Sequence, residues 1–252
     1  MWENRDTHQI NMFTNKVVLI TGGSSGIGEV TALLFAQSGA DIVITYKSNK
    51  EGADRVVEKI REIGRRTIAI QADLISESEA KNVVAETIKE FGRIDVLVNN
   101  AGRYIDGDEW DGPSDIWLQS LQQNLVSMMN VSKYAIRIFQ KQKSGVMVNI
   151  ASAHGLDGQH DAISYAAAKA GVINITQGYA KLLFPFGRAN SISPSATDAG
   201  YWLTAPNGEV EEILASRPSH KFVEPEMVAR KIIFLASDEA KGITGQNFPI
   251  TE

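Results

Sequence analysis

Val17-Val18-Leu19-Ile20-Thr21-Gly22-Gly23-Ser24-Ser25-Gly26-Ile27-Gly28 decides the fold of this chain. The run from Val17 to Ile20 is apolar on consecutive residues, the pattern of a strand covered on both faces, whereas a half-wetted strand alternates. It leads directly into a glycine-rich turn and then into an amphipathic stretch that predicts a helix over Gly26–Ser38, with Gly39 as its C-terminal cap. Glycines let the backbone turn tightly and approach a pyrophosphate, and the N–H groups and dipole of the helix start favour its negative charge. The TGxxxGxG spacing lacks the GK[ST] ending of a triphosphate loop, so a dinucleotide is favoured over ATP or GTP. Such a turn standing alone can be a plain tight corner; the strand before it and the helix after it supply the context.

The same alternation continues outward to the end of the chain. Further strands are predicted at Asp41–Tyr46, Thr67–Gln71, Asp95–Asn99, Gly145–Ile150, Ala189–Ser193 and Gly245–Ile250, and the first extends to Thr21. Helices are predicted over Glu51–Ile63, Ser76–Phe91, Ser114–Gln140, Ser164–Phe184 and Glu224–Ala236. Gly64 and Gly92 follow two of them as caps, and Ser76 with Glu79 reads as a capping box. Strands alternating with helices call for crossover connections between parallel strands. The expected fold class is therefore α/β: a single doubly wound Rossmann domain over residues 15–252, its mostly parallel sheet covered by helices on both faces. Residues 1–14 show no apolar period and read as a flexible arm.

Composition narrows the function classes. The chain has 252 residues, 43% hydrophobic and 22% charged, as expected of a globular protein. The absence of cysteine excludes disulfides, thiolate metal sites and cysteine nucleophiles, and fits a reducing compartment. A net charge of −5 removes the electrostatic basis for non-specific binding to nucleic acid or anionic membrane. The apolar runs are too short to span a bilayer, and Met1–Thr14 is too polar for a signal peptide. A soluble cytoplasmic protein with a small-molecule ligand and no metal is expected.

Tyr165 and Lys169 stand four apart at the start of a predicted helix, which puts phenol and ammonium on one face. A free tyrosine titrates near 10, so service as a base at neutral pH calls for a lowering of about three units, roughly 4 kcal/mol. One ammonium about 4 Å away in an effective dielectric near 20 supplies approximately that energy. Ser152 follows the predicted strand Gly145–Ile150, at the carboxyl edge where open α/β sheets bind ligands. Asn124 interrupts a long helical pattern as a weak helix former, consistent with a functional kink or with an exposed position.

These residues, in this order, carry a resemblance. Thr21-Gly22-Gly23-Ser24-Ser25-Gly26-Ile27-Gly28, Asp73-Leu74, Asn99-Asn100-Ala101-Gly102, Asn124, Ser152, Tyr165 with Lys169, and Asn190-Ser191-Ile192-Ser193-Pro194 together resemble the short-chain dehydrogenase/reductases from Lys16 to about Pro249. The resemblance implies an NAD(P)(H)-dependent oxidoreductase interconverting a carbonyl and a secondary alcohol, most similar to the 3-oxoacyl-[acyl-carrier-protein] reductase-like branch. It implies that Tyr165 is the general acid/base, that Lys169 binds the nicotinamide ribose and lowers the tyrosine pKa, that Ser152 holds the substrate oxygen, and that Asn124 holds a relay water. Gly22, Ser24, Ser25, Gly26, Ile27 and Gly28 would cradle the cofactor. Asp73 and Leu74 would contact adenine, and Asn100, Ala101 and Gly102 would line the cofactor. A homotetramer is implied too, and Met128, Met129, Val131, Ile173 and Ile175 exceed what one covered helix face needs.

The chain departs from the family where a Pro-Gly is common. It reads Pro194-Ser195-Ala196-Thr197-Asp198-Ala199, adding a side chain where backbone approaches the nicotinamide, with Thr197 as a compensating hydroxyl. The C-terminus lacks the family's Asp-Gly-Gly. At the end of the second strand Tyr46-Lys47-Ser48-Asn49 offers cationic and hydrogen-bonding groups and no carboxylate, so NADP(H) is favoured over NAD(H), which stays possible. A sugar or polyol dehydrogenase of the same family, and a non-catalytic dinucleotide-binding regulator, are the alternatives. His154 and His160 read as solvated loop residues, and Asp106–Asp111 as a solvated acidic loop whose spacing does not match a calcium site. By the same resemblance Gly200–His220 occupies the position of a substrate lid, where Tyr201 and Trp202 suit either closure over an apolar substrate or a subunit contact.

Overall fold

The computed structural model describes residues 11–203, 205–215 and 219–251. In chain order the elements are β1 (Val17–Ile20), α1 (Gly26–Gln37), β2 (Asp41–Tyr46), α2 (Lys50–Glu62), β3 (Thr67–Gln71), α3 (Glu77–Phe91) and β4 (Val96–Asn99). Then come α4 (Ser114–Leu121), a π-helical turn (Gln122–Val126), α5 (Ser127–Gln142), β5 (Gly145–Ile150) and α6 (Ile163–Leu183). The chain continues through β6 (Gly187–Pro194), α7 (Asn207–Ala215), α8 (Pro225–Ala236) and β7 (Asn247–Ile250).

The strands form one seven-stranded sheet in the order β3-β2-β1-β4-β5-β6-β7, and every pairing in it is parallel. Successive side chains alternate between its faces. Val18 and Ile20 of β1 join Ile42, Ile44, Val98 and Val148 on one face, under Phe35 of α1, Ile60 of α2 and Ile232 of α8. Val17 and Leu19 join Val43, Leu97 and Met147 on the other, under Val84 of α3, Phe139 of α5 and Leu183 of α6. Both faces are dry, which is why the strand sequences are apolar without alternation. Strand order reverses between β1 and β4, so the turns leaving these two strands open a crevice at the carboxyl edge.

Two boundaries differ from expectation. The predicted helix over Ser114–Gln140 is divided at Gln122–Val126 by the π-helical turn. Of the expected N-terminal arm, residues 1–10 lie outside the described residues, but Phe13 is buried, stacks edge-on against Phe35 with ring centroids 4.8 Å apart, and donates its N–H to Ser38. Met12 packs on the same core cluster, so two neighbouring apolar side chains in a polar stretch anchor the segment. Among the described residues no helix is long and apolar enough to cross a membrane.

Candidate active site

The glycine turn between β1 and α1 is shaped by backbone that side chains would obstruct. Gly22 and Gly26 have φ of +66° and +55°, and a Cβ on Gly28 would collide with the Gly22 carbonyl. The turn is held from the ends of the two neighbouring strands, β2 and β4. Thr45 Oγ1 accepts the Gly22 N–H at 3.2 Å, Asn49 Nδ2 donates to the Ser24 carbonyl at 3.3 Å, and Asn100 Nδ2 donates to the Thr21 and Gly22 carbonyls, both at 3.0 Å. Thr21 Oγ1 in return accepts the N–H groups of Asn100 and Ala101. The Asn100 side chain thus points back into the turn instead of lining the crevice, and Asn49 caps α2 through Gly52 instead of standing free for a phosphate. Ser24 is buried, and Ile27 packs on the core. Ser25 sits at the N-cap of α1 with no side-chain bond to the helix, leaving the helix start to accept an anion from outside.

Beside the turn, Tyr46 packs on the core and Lys47 Nζ lies 2.8 Å from Asp73 Oδ2. This pairing holds the Asp73 carboxyl below its ordinary range, although both groups face solvent. Ser48 is exposed. Leu74 is buried and its carbonyl is fixed by Asn130 Nδ2 at 3.0 Å.

The remaining candidates converge above β4 and β5. Lys169, on α6, is buried and its Nζ donates to the Ile150 carbonyl at the end of β5, 2.9 Å away. Ser152 follows that strand, and its Oγ accepts the N–H of His154 at 3.2 Å. Asn124 lies in the π-helical turn, where Nδ2 donates to the carbonyls of Arg103 and Ser120 at 2.8 and 3.0 Å. Its Oδ1 is buried and has no hydrogen-bond partner. A Cβ on Gly102 would stand 2.6 Å from that oxygen and 3.5 Å from Lys169 Nζ, so both atoms border the same point. π-Turns recur at functional sites because one extra residue re-aims a side chain, here Asn124. An orphaned buried acceptor beside a buried ammonium is a site built to receive a polar ligand.

The phenol of Tyr165 is closed in by Tyr104 and His154, whose rings meet it edge-on at centroid distances of 6.3 and 6.1 Å. Burial raises its pKa, and a hydrogen bond with Ser152 opposes the rise. The expected lowering by Lys169 is not what sets the shift here: Nζ lies 5.5 Å from the ring centroid, bound to Ile150, while loss of solvent penalises the phenolate directly. The same burial pulls Lys169 down to about 8.

Other expectations need correction. The acidic segment is exposed at Asp106, Glu109 and Asp111, but Asp108 is fully buried against the start of α6. His154 is not a solvated residue either: its Nδ1 is buried without a partner and its ring faces Tyr165. His160 is exposed. Met128 and Val131 are core residues, and Ile173 and Ile175 pack on a small buried cluster, so much of the apolar surplus is used within the chain. After Pro194, Thr197 Oγ1 donates to the Ser195 carbonyl at 2.8 Å and its backbone bridges Val223, so this hydroxyl serves its own turn. Trp202 stacks on Phe222 with centroids 5.4 Å apart, while the side chain of Tyr201 lies outside what is described.

A dinucleotide-type turn at the switch point of a doubly wound sheet, facing a half-buried phenol beside a buried hydroxyl and ammonium, belongs to an oxidoreductase that interconverts carbonyl and secondary-alcohol groups with a nicotinamide cofactor. Comparison with known proteins places it more narrowly. The family model described as Enoyl-(Acyl carrier protein) reductase matches residues 22–251. The chain is 37% identical over 232 residues to the 3-oxoacyl-[acyl-carrier-protein] reductase FabG of Thermotoga maritima, covering 92% of this chain and 94% of that one. It is 38% identical over 241 residues to the 3-oxoacyl-[acyl-carrier-protein] reductase of Synechocystis sp., covering 94% and 96%. Among solved structures it superposes on NAD+-bound xylitol dehydrogenase with a TM-score of 0.87 at 29% identity, covering 94% and 98%, and on levodione reductase with a TM-score of 0.88 at 30% identity, covering 94% and 96%. The chain belongs to the short-chain dehydrogenase/reductase family.

Proposed function

We propose that the chain is an NADPH-preferring reductase of 3-oxoacyl thioesters, with residues 15–252 forming one cofactor-binding and catalytic unit. The observation that carries the reading is the half-buried Tyr165 phenol, kept protonated by its surroundings and hydrogen-bonded to Ser152, where a carbonyl oxygen needs both an orienting donor and an acid. The bound nicotinamide supplies the hydride. Ser152 Oγ orients the substrate oxygen and Tyr165 Oη donates the proton to it. Lys169, still an ammonium at neutral pH with its pKa at about 8, stabilises the phenolate left behind and holds ribose hydroxyls. Asn124 Oδ1 accepts from the water through which the phenol is reprotonated.

Gly22, Ser24, Ser25, Gly26, Ile27 and Gly28 would receive the pyrophosphate, Tyr46, Lys47 and Ser48 the adenosine ribose and its phosphate, and Asp73 and Leu74 the adenine. Ala101 and Gly102 would line the nicotinamide side with Pro194, Ser195 and Thr197. Asn100 would act by shaping the turn. The proposal extends to a homotetramer in the cytoplasm, a reducing compartment that the absence of cysteine fits.

Xylitol dehydrogenase as a structural neighbour supports the polyol alternative. The test is a panel of acetoacetyl-, crotonyl- and other acyl thioesters, cyclic diketones and polyols, followed by nicotinamide absorbance at about 340 nm. Selective oxidation of NADPH by acetoacetyl thioester supports the reading. Polyol oxidation favours the alternative, crotonyl reduction would indicate a carbon–carbon double bond as the true target, and cofactor binding without turnover on any arm indicates a regulator.

A further inference from the structure

Asp108 belongs to none of the motifs of the site and precedes Tyr165 by 57 residues, yet it is a fully buried carboxylate at the start of the helix that carries Tyr165. Burying a carboxylate is costly unless its oxygens are saturated with donors, and those of Asp108 are. Oδ1 accepts the N–H and the Oγ–H of Ser164 at 3.0 and 2.5 Å. Oδ2 accepts the N–H of Tyr165 at 2.7 Å and the Oγ–H of Ser120 at 3.2 Å. The Asp108 carbonyl accepts the N–H of Ile163 at 2.9 Å.

These bonds occupy the place of a helix cap. The N-cap residue of α6 is Ala162, which makes no side-chain bond, and Ser164 and Tyr165 are the second and third residues of the helix, whose N–H groups a capping side chain ordinarily accepts. A serine or aspartate at 162 would cap the helix locally. Here the acceptor comes from the loop before α4 and adds a negative charge at the positive end of the helix dipole. Stability of α6 alone does not require so distant a partner; what the arrangement adds is a fixed position for α6 relative to α4.

The second arm reaches the other side of the site. Ser120, which donates to Asp108, offers its carbonyl to Asn124 Nδ2 at 3.0 Å, and this bond with the one from Arg103 leaves Asn124 Oδ1 aimed at Gly102. One carboxylate is therefore a single bond from the backbone of Tyr165 and two bonds from the side chain of Asn124.

We propose that Asp108 is a positioning residue that sets the phenol of Tyr165 and the carboxamide of Asn124 in register across the site. The proposal rests on the reading of those two residues given above. Asp108→Asn keeps the shape but puts an amide donor against the N–H of either Ser164 or Tyr165, and Ser120→Ala removes only the arm toward Asn124.

The test uses the full-length protein with NADPH and acetoacetyl-coenzyme A as probes. Turnover is measured per cofactor-binding site, the NADPH dissociation constant by fluorescence, and the effect of deuterating the transferred hydrogen on kcat. For Asp108→Asn, kcat is expected to fall about 10- to 100-fold, the range that small misplacements of reacting groups produce, with NADPH affinity within about twofold and a larger deuterium effect as chemistry becomes rate-limiting. Ser120→Ala should lose about 3- to 10-fold with the cap of α6 intact, and it serves if Asp108→Asn does not fold. Normal turnover per site in either folded variant overturns the proposal, as does a loss of kcat matched by an equal loss of NADPH affinity. If the wild-type protein reduces no carbonyl compound, the functional reading fails separately. Amide hydrogen exchange then decides the positioning claim: faster exchange at Ser164 and Tyr165 in Asp108→Asn supports it, and unchanged exchange refutes it.

Discussion

Gly102 and Asn124 approach so closely that a Cβ on the glycine would lie 2.6 Å from Oδ1 of the asparagine. The bare backbone, with φ of +150°, is what leaves this buried acceptor facing the site beside Lys169. Gly102→Ala must displace the oxygen and adopt a strained backbone, costing about 1–3 kcal/mol in stability. Turnover is expected to drop about 10- to 100-fold in the folded enzyme, beyond what the stability loss explains. Steady-state kinetics with denaturant unfolding checks this; unchanged kcat would show that the aim of Asn124 Oδ1 is immaterial.

Lys169 gives a stability prediction whose sign follows from its burial. Its pKa falls from 10.5 to about 8 on folding, so between those values the unfolded chain holds a proton that the folded one has released. Stability therefore rises with pH across that window, and the burial penalty is largest below about pH 8, about 3 kcal/mol in order of magnitude. Lys169→Met removes that penalty and loses the bond to the Ile150 carbonyl, worth about 1–3 kcal/mol when an acceptor is orphaned. The variant is expected to be inactive yet at least as stable as wild type at pH 7, with its relative advantage shrinking as pH climbs from 8 to 10.5. Urea unfolding at both ends of the window reads this directly, and a destabilised variant at pH 7 sinks it.

Tyr165→Phe should lose about 10²- to 10⁴-fold in rate, the usual contribution of a general acid, with cofactor affinity preserved because the ring still fills its place. Burial holds the proton on the phenol, so the alkaline limb of kcat/KM for reduction is expected to follow Lys169 near 8 and not an acidified phenol near neutrality. A limb near pH 7 that disappears in Tyr165→Phe would assign the titration to the phenol instead.

How far the sequence could be read depends on whether the deciding physics is local. Val17–Ile20 and its turn into Gly22 were legible because a strand with both faces dry and a glycine turn leave marks at consecutive positions. The Tyr165–Lys169 pair was legible for the same reason, through its one-turn spacing. The direction of the Tyr165 shift was not, because it depends on how far tertiary packing removes the phenol from solvent, with Tyr104, 61 residues earlier, against its ring. Asp108 was misread since Asp106-Gly107-Asp108-Glu109 has the composition of a wet loop, and only the tertiary approach of α6 buries one of its carboxylates. The π-turn at Asn124 changes the winding by one residue without changing the apolar pattern, which left only the weak helix propensity of Asn as a hint.

The proposed oligomer has an experimental handle on α4 and its continuation. Leu118, Val126 and Met129 remain exposed there although their neighbours Met128 and Val131 are buried in the chain's own core. Exposed apolar side chains grouped on one surface favour a second copy. The wild-type protein is expected to sediment as a tetramer at micromolar concentration, and Leu118→Lys with Met129→Lys to shift it to smaller species with the fold retained. A compact wild-type monomer refutes this arrangement.

Cofactor preference turns on Lys47, which is already paired with Asp73 at 2.8 Å. A 2′-phosphate would draw the ammonium from a carboxylate that itself belongs to the proposed adenine end of the site, so attraction to the phosphate is offset by the loss of this pair. Lys47 is largely exposed and Asp73 partly so, and such a solvent-facing pair is worth about 1 kcal/mol or less, about fivefold in affinity. NADPH is therefore expected to bind more tightly than NADH by a single-digit factor, and Lys47→Ala to weaken NADPH about fivefold while leaving NADH unchanged. Asp73→Asn should act in the opposite sense on the ratio, because it frees Lys47 for the phosphate; any loss of an adenine contact falls on both cofactors equally and cancels. Raising the salt concentration should narrow the ratio, since screening weakens exposed charges most. Fluorescence titration of both reduced cofactors into the three proteins settles the assignment: a ratio unmoved by Lys47→Ala, or lowered by Asp73→Asn, removes Lys47 from phosphate recognition.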